Sequence, residues 1–154
     1  MAQYRPEYVT VTGGEPLAQP NCPGLLTRLC NAGYRVSIET SGALSIADID
    51  ARVVRVMDLK TPGSGESARN LYANMALLRA QDQVKFVICD RADYEWSKRK
   101  LEEFRLSERC QVLFSPSYTQ LAVRSLADWI LADRLPVRLQ VQLHKFIWGD
   151  VPGR

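Results

Sequence analysis

No stretch of the sequence approaches the roughly 20 apolar residues needed to cross a bilayer, and its first twelve residues, MAQYRPEYVTVT, hold no apolar signal segment. The expected location is the cytoplasm. Cysteine is sparse: Cys22, Cys30, Cys89 and Cys110 are scattered, and none lies in a CxxC or CxxxCxxC spacing that would hold a metal from one loop. They read as free, mostly buried thiols of a reducing compartment. There is no Walker loop, no GxGxxG fingerprint and no Gly-x-Ser-x-Gly elbow, which leaves P-loop, dinucleotide and serine-hydrolase chemistry without support. Twenty basic against seventeen acidic residues leave a formal charge of +3, without the concentrated basic stripe of a dedicated nucleic-acid binder. What remains is an ordinary globular balance, 46% hydrophobic and 24% charged, in 154 residues: enough for one domain with a core and too few for two.

Along the chain, β-type and helical patterns alternate. Tyr8 to Thr12 is a β-branched run that stops at Gly13-Gly14. Cys22 to Ala32 has helical spacing, with Asn21 as candidate cap, Pro23 in the first turn and Gly33 at the end. Tyr34 to Glu39 alternates as a strand, Ser45 to Ala51 predicts a short helix, and Val53 to Leu59 another strand. Leu71 to Arg79 has helical intervals, Gln83 to Cys89 reads as a strand, and Asp93 to Phe104 as an amphipathic helix. A strand over Gln111 to Phe114, a helix over Thr119 to Asp133 and a last strand over Arg138 to Leu143 complete the order. The three tryptophans, Trp96, Trp129 and Trp148, read as packing residues. Six strands alternating with helices predict an α/β fold with a parallel sheet, open or a partial barrel.

In such folds ligands gather at the carboxyl ends of strands. The segments there are Gly13-Gly14-Glu15-Pro16, Glu39-Thr40-Ser41-Gly42, Lys60-Thr61-Pro62-Gly63 and Ser115-Pro116-Ser117-Tyr118, with His144-Lys145 after the last strand. Paired glycines either make a tight turn or let a ligand approach the backbone, and Glu15 can hold an amine or a hydroxyl. Glu39, Thr40 and Ser41 suit a sugar or a cap; Lys60 suits a carboxylate or plain solvation; His144 is a ligand contact, a proton carrier or a structural imidazole.

VTVTGGEPLAQPNC, VSIETSGAL, DLKTPGSGE and QLHKFIWGDVPGR, in this order, closely resemble the 7-carboxy-7-deazaguanine synthases, radical S-adenosylmethionine enzymes of queuosine and deazapurine synthesis. The resemblance covers nearly the whole chain. It implies a partial (β/α) barrel and the conversion of 6-carboxy-5,6,7,8-tetrahydropterin to 7-carboxy-7-deazaguanine with ring contraction and loss of ammonia. A reduced [4Fe-4S] cluster would cleave S-adenosylmethionine, the resulting radical would abstract a hydrogen from the pterin, and Mg2+ would guide the rearrangement. By motif, Gly13, Gly14 and Glu15 would meet the methionine amine, Ser41 the ribose, Lys60 the carboxylate end, and Ser115 with Pro116 the adenine. Thr12 and His144 would face the pterin. The family also implies a homodimer and an electron donor such as a flavodoxin.

One departure from the family pattern stands out. Its cluster loop, CxxxCxxC, ordinarily precedes GGEP, and this sequence has none. Cys22 and Cys30, separated by seven residues across a predicted helix, do not reproduce that loop. The chain is therefore expected to be the C-terminal portion of a synthase, lacking the leading strands, the cluster cysteines and the magnesium-binding threonine, and inactive as written. An exposed edge over Tyr8 to Thr12 would then favour association. The alternative is a non-enzymatic module that binds S-adenosylmethionine or a pterin, or pairs with a full-length subunit.

Overall fold

The structure is a computed structural model that describes residues 6–149. Its strands are β1 (Tyr8–Val11), β2 (Arg35–Thr40), β3 (Val54–Asp58), β4 (Gln83–Ile88), β5 (Gln111–Pro116) and β6 (Arg138–Leu139). Its helices are α1 (Cys22–Asn31), α2 (Arg91–Glu103), α3 (Leu106–Arg109), α4 (Val123–Asp133) and α5 (Leu143–Trp148), joined by short 3-10 turns. All six strands are parallel, and their order in the sheet is their order in the chain. Each crossover thus steps one strand in the same direction, and with right-handed connections all of them fall on one face, as in an arc of a (β/α) barrel.

The alternation within strands follows from that arrangement. Val36, Ile38, Met57, Val84, Phe86, Ile88, Val112 and Phe114 are buried on the helix-covered face, packed with Leu26 and Leu29 of α1, Tyr94 and Leu101 of α2, and Leu126 and Ile130 of α4. Phe86 meets Trp96 and Phe114 edge-on, and Tyr94 packs on Trp129. One charged pair enters this layer: Arg55 and Asp82 are buried, the guanidinium bonding Asp82 and the carbonyls of Leu77 and Ile49. The opposite face carries Thr10, Ser37, Glu39, Asp58, Lys85 and Gln111 among Val54, Val56, Val87 and Leu113. A parallel sheet covered on both sides would be apolar on both, so the charged and polar residues on this face mark an open trough.

Several expected elements differ. Ser45 to Ala51 is not helical, because Asn74 takes over its backbone groups: Oδ1 accepts from Ile46 N (3.2 Å), and Nδ2 donates to the carbonyls of Gly42 (3.1 Å) and Leu44 (2.9 Å). Leu71 to Arg79 forms a 3-10 turn over Tyr72–Leu77. Asn21 makes no side-chain cap: its backbone lies in the α region rather than the extended conformation of a capping residue, and Pro23 has no amide hydrogen to offer. The last strand is two residues long, and His144 falls in α5, which Gly149 closes at positive φ, rather than just after a strand. The side chain of His144 lies outside the described residues, and Trp148, expected to pack, is half exposed.

Candidate functional site

Where β1 ends, Gly13 and Gly14 turn with φ of 102° and 53°, conformations that side chains resist, and nothing lies within 4 Å of where either Cβ would stand. The turn therefore presents bare backbone to open space. Glu15 follows and reaches across to the end of β2. Its carboxylate accepts from Thr40 Oγ1 (2.9 and 3.0 Å), Ser41 N (2.8 Å), the Ser41 hydroxyl and Leu17 N (3.1 Å). Burial pushes this carboxyl up, but the hydrogen bonds from Ser41, Leu17 and Thr40 outweigh it and hold the group below the ordinary carboxylate range. Glu15 thus ties the first rim loop to the second and leaves a negative charge between them.

The turn after β3 is held as firmly. Lys60 is bracketed by Asn70, which accepts from its amide (3.0 Å) and donates to its carbonyl (2.8 Å). The Lys60 ammonium pairs with Asp58 at 3.0 Å, and Lys85 stands 3.9 Å from the same oxygen. The other oxygen of Asp58 is buried without a partner.

These loops enclose two adjoining hollows. One, of about 330 Å³, is lined by Gly14, Glu15, Ser41, Lys60, Arg69 and Asn70 among others. The other, about 110 Å³, sinks into the trough between Thr12, Glu39, Asp58, Lys60 and Lys85. Gly14, Ser41 and Lys60 border both. A bare backbone turn, a hydroxyl and an ammonium ion around a concave polar space can hold a zwitterion bearing hydroxyl groups: the amine toward Glu15 and the carboxylate toward Lys60.

Of the residues expected from the sequence, Thr12, Gly14, Glu15, Ser41 and Lys60 come together here, with Gly13 at the outer side of the turn. Ser115 and Pro116 lie on the same rim at the end of β5, two strands beyond β3 and so roughly 10 Å away. The Ser115 hydroxyl is buried without a partner, and Pro116 lines a separate hollow of about 350 Å³ with Ser117, Tyr118 and Leu121. The cysteines do not gather: among the described residues no group of three His, Cys, Asp or Glu side chains is placed to hold a metal. Burial raises the Cys22 and Cys89 thiols and pushes Cys110 up to about 11, so these three are poor thiolate donors at neutral pH.

No family model matches the chain. It is 43% identical over 144 residues to the 7-carboxy-7-deazaguanine synthase of Chlorobaculum tepidum, covering 92% of this chain and 66% of that protein. It is 40% identical over 154 residues to that of Koribacter versatilis, covering 91% and 68%. The chain belongs to the 7-carboxy-7-deazaguanine synthase family. It spans about two thirds of the length of these curated relatives. Among solved structures, the crystal structure of QueE from Escherichia coli superposes with a TM-score of 0.68 at 21% identity, over 92% of this chain and 58% of that one. Streptococcus suis SuiB bound to S-adenosylmethionine superposes at 0.59 with 12% identity, over 88% and 38%. At these identities the two structures speak for the fold, and the fold is the expected one.

For this synthase-family chain, sequence reasoning missed the residues that hold the rim from behind and those that line the trough. Asn70, Asn74 and Asp93 lie in loops or helices and carried no motif signal. Lys85 had one: in QVKFVI it alternates with Val84 and Phe86, and a lysine inside a parallel strand implies a face that is not buried.

Proposed function

We propose that this chain carries the S-adenosylmethionine-binding and pterin-facing side of a 7-carboxy-7-deazaguanine synthase. Such an enzyme converts 6-carboxy-5,6,7,8-tetrahydropterin to 7-carboxy-7-deazaguanine with loss of ammonia. The observation that carries the reading is the convergence of Gly14, Ser41 and Lys60 on two joined hollows, in a chain of this family.

S-adenosylmethionine, when bound and cleaved by one electron from a reduced cluster held outside these residues, would supply the radical that starts the rearrangement; the residues here bind and orient. Lys60 pairs with the cofactor carboxylate, exchanging its partly exposed bond to Asp58 for a better one. Glu15, kept ionised by Thr40 and Ser41, fixes the turn whose backbone faces the amine. Ser41 serves the ribose, and Ser115 with Pro116 the adenine. Thr12, whose hydroxyl lies 3.4 Å from Glu39, and His144 face the pterin.

Among the described residues no group of three His, Cys, Asp or Glu side chains gathers, so they do not fit a [4Fe-4S] cluster. The reading includes a flavodoxin-like electron donor, a homodimeric assembly and a cytoplasmic setting; among the described residues no helix is long and apolar enough to cross a membrane.

Calorimetric titration of the 154-residue chain with S-adenosylmethionine and, separately, with the carboxytetrahydropterin tests the proposal. Saturable binding of S-adenosylmethionine is expected, weakened about tenfold in Lys60→Ala at unchanged melting temperature, the loss of one charge-assisted contact. Binding of neither ligand would falsify it. Anaerobic reconstitution with iron and sulfide separates turnover from binding alone. A stoichiometric cluster by EPR would overturn the reading of the cysteines, whereas ligand binding without a cluster would favour the non-enzymatic module.

A further inference from the structure

The Lys60 turn is stapled from below by a residue that touches neither hollow. Asp93, in the first turn of α2, is buried to 1% exposure. One carboxylate oxygen accepts from Gly63 N at 2.8 Å; the other accepts from Cys89 N at 3.0 Å and lies 3.0 Å from Thr61 Oγ1. The Thr61 hydroxyl is also 2.9 Å from the carbonyl of Val87, so its single proton is shared between a strand end and the carboxylate. Asp93 therefore binds three donors drawn from the loop after β3 and from the residue after β4.

The glycine in the turn has its explanation here. Gly63 has no need of a positive φ; a Cβ built on it would meet the Asp93 carboxylate at 2.5 Å. The carboxylate occupies the space that a side chain would take, and the backbone closes onto it. Asp93 is itself fixed, its amide donating to the helix-capping Asp90 at 2.9 Å and its carbonyl accepting from Ser97 Oγ at 2.8 Å. The staple thus runs from a capped helix to the residue next to Lys60.

We propose that Asp93 is a positioning residue for the ligand site, holding the Lys60–Gly63 turn so that the Lys60 ammonium meets the cofactor carboxylate. This rests on the reading of the rim given above. An asparagine at 93 retains shape and one acceptor atom. That oxygen goes to the side with two donors, which turns an NH2 toward Gly63 N–H and releases the turn while the core stays packed.

The test combines ligand titration with amide hydrogen exchange on the 154-residue chain, Asp93→Asn and Gly63→Ala. Expected are faster exchange confined to residues 60–66 in both variants and S-adenosylmethionine affinity about tenfold weaker. Affinity for the carboxytetrahydropterin should fall less, because in the trough Lys60 is only one lining group beside Thr12, Glu39 and Lys85, which stand on other elements. Equal weakening of both ligands would mean a general defect and would overturn the proposal, as would unchanged S-adenosylmethionine affinity in Asp93→Asn. Gly63→Ala keeps the test open if Asp93→Asn does not fold. Should the wild-type chain bind neither ligand, the functional reading fails separately. Exchange then decides for Asp93: unaltered protection of Gly63 in Asp93→Asn rejects the staple, and loss confined to the turn upholds it.

Discussion

Glu15 shows how one side chain converts a sequence motif into a rim. Four protein groups donate to its carboxylate, from Leu17 beside it and from Thr40 and Ser41 across the gap to β2. The direction of its shift sets the pH dependence. A carboxyl whose folded value is depressed binds fewer protons in the folded chain than in the unfolded one, so stability rises with pH through the titration. The contribution is complete above the ordinary value of 4.5 and is lost as pH falls through the lowered one. Melting temperatures of wild type and Glu15→Gln between about pH 3 and 7 should show the wild type ahead at neutral pH, the gap closing below about pH 4. A constant gap would mean that the carboxylate charge is not what holds the loops.

At the scale of elements, buried amides hold the loops on which the site stands. Asn70 bonds Lys60 as a strand neighbour would, and Asn74 gathers the loop after β2 through three bonds to Gly42, Leu44 and Ile46. Both sit in the segment between β3 and β4, so that crossover braces two rims at once. Removing the Asn74 amide leaves buried backbone groups without partners. Asn74→Ala is expected to destabilise by about 2–3 kcal/mol in urea unfolding. A loss under about 0.5 kcal/mol would show that water replaces the amide without penalty.

Taken whole, the molecule is an arc with a covered outer face, a polar inner face and β1 at one margin of the sheet. Arg35 N donates to Glu7 O at 3.0 Å; in the slanted parallel pattern Val9 then turns its amide to β2, and Thr10 turns its own to the free side. Among the described residues nothing pairs with that side of β1. Light scattering should therefore show mass increasing with concentration. Thr10→Pro, which removes the outward amide without breaking the β2 ladder, should reduce it. A monodisperse monomer at high concentration would count against edge pairing.

The alternation of strands and helices, and the placing of Gly13-Gly14, Ser41 and Lys60 on one rim, were legible in the sequence. Period-2 patterns and turn residues are local, and right-handed parallel crossovers carry local order directly into spatial order. Helix ends and short connections were less so. Ser45 to Ala51 has a helical pattern, yet Asn74, 28 residues downstream of Ile46, claims its backbone. The staple from Asp93 to Gly63 spans 30 residues, and the tie from Glu15 to Ser41 spans 26. Only the tertiary structure decided these, because a side chain's hydrogen-bond partner across a crossover depends on where packing sets the next strand, which no local pattern encodes.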